Sequence, residues 1–193
     1  MKDFKTALSM FLCLTLLTGV IYPLVVTGFA QLFFPQQANG SFIKQGDKIV
    51  GSLLIGQSFT DPHYFWGRPS ATSPYPYNGA SSSGSNLASS NPALISLIKK
   101  RAVVLHQFNL DQKAPIPIEL LTASGSGLDP EISPLAAYYQ IPRIAKENHL
   151  AEKDIEFLIR HHLINRTFGV LGEPRVNVLQ LNLALDQLRA DHV

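Results

Sequence analysis

The chain has 193 residues, with 16 Lys and Arg against 14 Asp and Glu and a formal net charge of +2. From Pro35 onward 14 cations are interspersed with 13 anions, a near-neutral surface that lacks the basic footprint of nucleic-acid binding and offers little electrostatic grip on anionic lipid. The one cysteine, Cys13, lies in an apolar run, so the remainder of the chain folds on packing without an internal disulfide.

Thr6 to Phe34 is about 29 residues without a charge, closed on its amino side by Lys2 and Lys5. A helix rising about 1.5 Å per residue needs roughly 20 apolar residues to cross a bilayer, and residues 7–29 supply them. A secretory signal starts in the same basic way, and Gly28 with Ala30 offers a small-residue cleavage site. Its apolar core, however, spans only about 7 to 15 residues, so residues 7–29 are read as a retained transmembrane helix. The alternative is a binding module released by cleavage after Ala30. Lys2, Lys5 and the terminal amine precede the span, whereas the next cation, Lys44, lies well beyond it. The positive-inside rule then keeps residues 1–6 in the cytoplasm and carries residues 30–193 across the membrane, into the periplasm if the host is a bacterium.

Gly19, Tyr22, Pro23, Thr27 and Gln31 stand apart from the leucines as candidate contacts with partner helices. Small residues let another helix approach, a mid-span proline frees a carbonyl, and an amide in lipid seeks an interhelical bond. A lone anchor with Tyr22 and Gln31 at the headgroups is the plainer alternative.

Beyond the span, Phe42-Ile43 and Ile49-Val50 flank Gln45-Gly46-Asp47 and predict a hairpin. A further strand is expected over 52–59. The Pro, Ser, Gly and Asn density of 62–91 excludes regular structure, while Tyr64, Phe65, Trp66, Tyr75 and Tyr77 mark it as an ordered loop. Asn91-Pro92 opens a helix whose apolar stripe is Leu94, Leu97, Ile98, Ala102, Leu105 and Phe108. Residues 117–122 read as a strand. Ser133-Pro134 starts another helix that Pro142 breaks after Gln140. Ile155, Leu158, Ile159, His162 and Leu163 define a further helical face, and the tail from Arg175 is a short extended piece followed by a helix from Leu179. The fold class is therefore α+β: one amino-terminal transmembrane helix followed by a single α+β domain.

No Walker loop, dinucleotide fingerprint, His-Glu-x-x-His helix or Gly-x-Ser-x-Gly elbow occurs. Adjacent His161 and His162 point about 100° apart on a helix, and His162 reads as a satisfied core residue rather than a metal ligand. Ser83-Gly84-Ser85-Asn86 and Ser124-Gly125-Ser126-Gly127 each precede a helix; they read as tight turns, with an anion cradle as the alternative. A tethered hydrolase using Ser124 or Ser126 is a third possibility in outline. The residues alone lead to a membrane-tethered, non-catalytic module.

Several runs in order extend this reading: Thr18-Gly19-Val20-Ile21-Tyr22-Pro23-Leu24, Gly51-Ser52-Leu53-Leu54-Ile55-Gly56-Gln57-Ser58-Phe59, Arg68-Pro69-Ser70-Ala71-Thr72, Ser83-Gly84-Ser85-Asn86-Leu87, Thr122-Ala123-Ser124-Gly125-Ser126-Gly127-Leu128-Asp129-Pro130 and Pro174-Arg175-Val176-Asn177-Val178-Leu179. With a single amino-terminal anchor they resemble the KdpC family over nearly the whole chain. The resemblance implies a single-pass inner-membrane accessory subunit with a periplasmic domain, assembled with a potassium-channel-like subunit and a P-type ATPase subunit. It also implies that ATP and potassium are handled by those partners, since this chain has neither an Asp-Lys-Thr-Gly-Thr phosphorylation motif nor repeated filter loops. Such proteins are described as catalytic chaperones that raise the ATPase subunit's affinity for ATP. A glutamine closely followed by arginine is the family's nucleotide candidate, matched here by Gln140 and Arg143. Read without the family, that pair is a surface pair at a helix break. Two departures are Ala88-Ser89-Ser90-Asn91, where relatives carry glycine and proline, and Asn148-His149-Leu150, which replaces a small-Gly-Leu turn.

Overall fold

In lipid every backbone polar group needs an internal partner, and a charge-free run satisfies that requirement as a helix. In the computed structural model, which describes residues 2–109 and 112–191, α1 (Lys2–Leu16), a π-turn (Leu17–Ile21) and α2 (Tyr22–Phe33) follow one another as a 32-residue apolar helix long enough to cross a membrane. The helix thus overruns the expected 7–29 at both ends. The π-turn lies just before Pro23, whose missing N–H removes a bond from the ladder, and the widened turn resets the register there. Pro35 opens the single turn α3 (Pro35–Ala38), after which β1 (Phe42–Gln45) and β2 (Lys48–Ser52) form the expected hairpin around Gly46, at φ +58°. The chain divides into compact units at 1–50 and 51–193.

In the second unit, residues 56–91 hold no helix or strand, yet Phe65 is completely buried among them. The remaining elements are α4 (Pro92–Phe108), α5 (Ile118–Leu121), β3 (Glu131–Ile132), α6 (Pro134–Tyr139), α7 (Ile141–Asn148), α8 (Glu152–His161), β4 (Leu163–Ile164), β5 (Arg175–Asn177) and α9 (Val178–Asp191). The three short strands pair antiparallel in the order β3-β5-β4, with Ile132 and Leu163 both opposite Val176. Ile132, Ala136, Ala137, Ile144, Ile155, Ile159, Val176, Leu181 and Leu185 join Phe65 in one core. The caps sit where the residue types demand: Asn91 Oδ1 accepts from Ala93 N at 2.9 Å and Ser133 Oγ from Ala136 N at 3.2 Å, each worth about 1 kcal/mol.

Two expected strands are corrected. Residues 117–122 contain α5, because Leu120 and Leu121 are buried side by side, which a helical turn achieves and a strand's alternation does not. Thr122 N and Oγ1 both return to Ile118 O, and the Glu119 carboxylate accepts from Ser133 N at 3.1 Å, beside the α6 cap. Over 52–59 the chain leaves β2 at Ser52, turns at Leu53-Leu54 and closes a lone bridge from Ser52 to Ile55. Its one glycine serves close approach instead: a Cβ on Gly56 would stand 2.5 Å from the Tyr77 ring and 2.6 Å from Asp129 O.

Candidate functional site

Residues 62–66 cross the core without strand partners, so their polar groups must be met by side chains. Gln140, at the break between α6 and α7, does this for Trp66. Its Oε1 accepts from Trp66 N at 2.8 Å, and its Nε2 donates to Trp66 O and to Ala136 O, both at 3.1 Å. Asn182 on α9 treats Phe65 the same way, accepting from its N–H at 2.8 Å and donating to its carbonyl at 3.0 Å. Arg143 donates to Pro62 O, to Tyr64 O at 2.9 Å and to Gln140 Oε1 at 2.6 Å, while Asn148 donates to His63 O at 2.9 Å. Five consecutive carbonyls are thereby satisfied by four side chains, two from α7, one from α9 and one from the break between α6 and α7. Each buried bond contributes roughly 1 kcal/mol, and losing one partner leaves a costly orphan.

Gln140 and Arg143 are therefore brought together, but the expectation of a surface pair is corrected: they are 0% and 1% exposed. Pro142 does break the helix after Gln140, and the break turns both side chains inward, toward the loop. The Arg143 guanidinium lies 4.2 Å from the Trp66 ring centroid, over its face. Burial among carbonyls pulls its pKa down to about 9, with Glu147 and Asp61 opposing that fall. On the loop's rim, Asp61 is held below its ordinary value by the N–H of His63 and then by its ring, 2.7 Å away.

Beside Trp66 a groove of about 390 Å³ opens between this loop and α4, lined by Phe59, Trp66, Tyr77, Lys100, Arg101 and Leu105 among others. Tyr77 donates to Arg68 O, and burial, reinforced by the charge of Asp129, pushes its phenol up to about 12. Arg68 pairs with Asp129 at 3.2 Å, and Arg101 donates to Leu121 O at 2.8 Å. Both cations are thus built into the groove's walls.

The two glycine-serine turns meet each other. Ser83 N donates to Ser126 O at 2.9 Å, Ser70 Oγ to Gly127 O at 2.7 Å, and a Cβ on Gly127 would stand 2.5 Å from Ser83 O. Ser124 Oγ accepts from Gly127 N and Ser126 Oγ from Leu128 N, so both hydroxyls close their own loop. His162 is half-buried with Nδ1 3.0 Å from Leu158 O, while His161 stacks against Phe157. In the first unit Gly19, Tyr22, Pro23 and Thr27 lie along the exposed helix. Gln31 finds a partner within the chain, exchanging two amide bonds with Asn39 at 3.2 and 3.3 Å.

Sequence reasoning singled out Trp66 as an aromatic of the loop but missed Asn148 and Asn182. Their partners lie 85 and 117 residues away, and no local pattern marks an amide that will serve a distant backbone.

The family model described as "KdpC: K+-transporting ATPase, c chain" matches residues 4–187. A potassium-transporting ATPase KdpC subunit of Methylococcus capsulatus is 56% identical over 97% of this chain and 99% of its own length. Those of Dechloromonas aromatica and Burkholderia mallei are 56% and 54% identical, over 95% and 98% of this chain and 96% and 98% of their own lengths. The span, the glycine-serine turns and the amide-braced loop all fall within the matched region, and the chain belongs to the KdpC family of potassium-transporting ATPase subunits.

Proposed function

We propose that this chain is the non-catalytic accessory subunit of an ATP-driven, high-affinity potassium uptake complex of the bacterial inner membrane. Residues 1–6 lie in the cytoplasm, 7–29 cross the bilayer, and 30–193 form the periplasmic domain. The observation that carries the reading is the family match, which runs through both the apolar helix and the folded unit behind it. The charge asymmetry around the helix supports the orientation.

In this role the span packs against helices of a potassium-channel-like subunit and a P-type ATPase subunit through Gly19, Tyr22, Pro23 and Thr27. Gln31 tethers its end. The folded unit stabilises the assembly and acts as a catalytic chaperone that raises the ATPase subunit's affinity for ATP, while ATP and potassium are handled by the partners. Gln140 and Arg143 bear on nucleotide handling as positioning residues: they hold the loop that presents Trp66 to the groove, and they influence the motor subunit through the assembly.

Deleting residues 44–193 while retaining the span tests this, with assembly, ATP affinity and potassium uptake measured separately. Loss of assembly, or of ATP affinity in an intact complex, is the expected result; normal values for all three would overturn the reading. Gln140→Ala and Arg143→Lys in the whole complex refine it. The expected outcome is lower ATP affinity of the complex together with loss of the Trp66 fluorescence signature, since both side chains fix that residue. Weakened ATP affinity with an unchanged Trp66 signal would instead favour direct contact.

A further inference from the structure

Helix α4 is the least covered of the long helices in the folded unit. Of its seventeen residues only Leu105 is buried, whereas the eight-residue α7 buries four and α9 buries five. Ile95, Val103 and Val104 are 45%, 55% and 44% exposed, so apolar side chains stand at outer positions that a solvated helix would fill with polar residues. Four-residue spacing lines up Ile95, Lys99 and Val103 as one row and Ser96, Lys100 and Val104 as the next. Lys100 and Val104 of the second row line the groove, together with the buried pair Leu105 and Leu120.

The charge of this face is one-sided. No Asp or Glu occurs between Pro62 and Asn109, where the cations are Arg68, Lys99, Lys100 and Arg101. Arg68 is neutralised by Asp129 and Arg101 is spent on Leu121 O, while Lys99 and Lys100 are exposed and carry no ion pair among the described residues. The surface therefore combines an apolar recess lined in part by Lys100 with a second free ammonium, Lys99, on the neighbouring row of α4, and its complement is a carboxylate beside an apolar side chain.

We propose that α4 and the groove beside it are the docking surface for a segment of another subunit of the potassium-transporting ATPase. That segment places an Asp or Glu against Lys100 and an apolar side chain over Leu105 and Trp66. The inference rests on the accessory-subunit reading, which supplies the other subunits. A bilayer surface is a poorer occupant: it cannot enter a recess, and lipid-reading clusters carry roughly four to eight cations where this face has two free ones. A second copy is poorer too, because a two-fold contact through this face would set like charges against each other.

The test uses the purified complex with all its subunits, with a photoreactive residue at Val104 and a control at Phe168, which is 90% exposed on a separate loop. The expected result is a covalent product between the Val104 probe and another subunit of the complex, mapping to a stretch with an Asp or Glu within a few residues. Lys100→Glu is expected to cut that product at least about tenfold and Lys100→Arg to preserve it. An intact complex in which the Val104 probe reacts only with lipid, with a second copy of this chain or with nothing overturns the inference and leaves the accessory role standing. A wild-type chain that purifies with no other subunit overturns the accessory role, and this inference with it.

Discussion

Arg143 is a charge enclosed by carbonyl oxygens, and its burial has a consequence that can be measured. With its folded pKa near 9, well below that of an arginine in the unfolded chain, the unfolded state binds more protons above pH 9, and this group makes stability rise with pH there. Tyr77 works in the opposite direction. Its phenol is raised from 10.0 to about 12, so its contribution is fully present below pH 10 and is lost as pH climbs toward 12, because the unfolded chain gives up the proton first. A shift of this size corresponds to on the order of 2 to 3 kcal/mol across that window. Tyr77→Phe is therefore expected to lose about 1 kcal/mol at neutral pH, from the bond to Arg68 O, and to unfold less steeply than wild type above pH 10. Urea titrations of the detergent-solubilised chain on both sides of pH 10 read the difference. Equal alkaline slopes for the two proteins would show that the phenol titrates normally.

Single elements show what the sequence reveals and what it hides. Helix starts at Asn91-Pro92 and Ser133-Pro134 were legible because a cap is local: the side chain bonds an amide two or three residues away. The break at Gln140 was legible for the same reason, but the inward turn of Gln140 and Arg143 was not, since it depends on Trp66, 74 residues distant from Gln140. The strand expected over 52–59 failed because its glycine, Gly56, answers to Tyr77 and Asp129 rather than to a ladder. Two substitutions should accordingly have opposite signs. Gly56→Ala forces a methyl against the Tyr77 ring and Asp129 O and is expected to cost about 2 kcal/mol or more. His149 ends α7 in the left-handed region at φ 56°, with Leu150 N returning to Ala145 O at 3.0 Å, a closure in which glycine is unstrained. Because His149 is exposed, His149→Gly is expected to gain about 0.5 to 1 kcal/mol. Thermal denaturation of both variants decides the matter, and a stabilised Gly56→Ala would mean that the loop yields where the geometry says it cannot.

At the scale of the whole chain, the apolar helix was the most legible feature, since lipid imposes one solution on a long charge-free run and hydropathy alone reports it. The α+β character of the folded unit was legible from periodicity, while its irregular quarter, 56–91, became intelligible only through the helices that brace it. Orientation is the property on which every role assigned to that unit depends, and it rests on two cations, Lys2 and Lys5, against a flank that stays uncharged through Gly40. Because basic residues near the ends of a span set its direction, Lys2→Gln with Lys5→Gln, combined with Gln36→Lys and Gln37→Lys, is expected to invert a large fraction of the molecules. An alkaline phosphatase fused at the carboxy terminus should be active on the native chain and lose most of that activity on the charge-swapped one, while a cytoplasmic reporter at the same site gains. An inactive phosphatase on the native chain would place the folded unit in the cytoplasm and overturn the proposed periplasmic role.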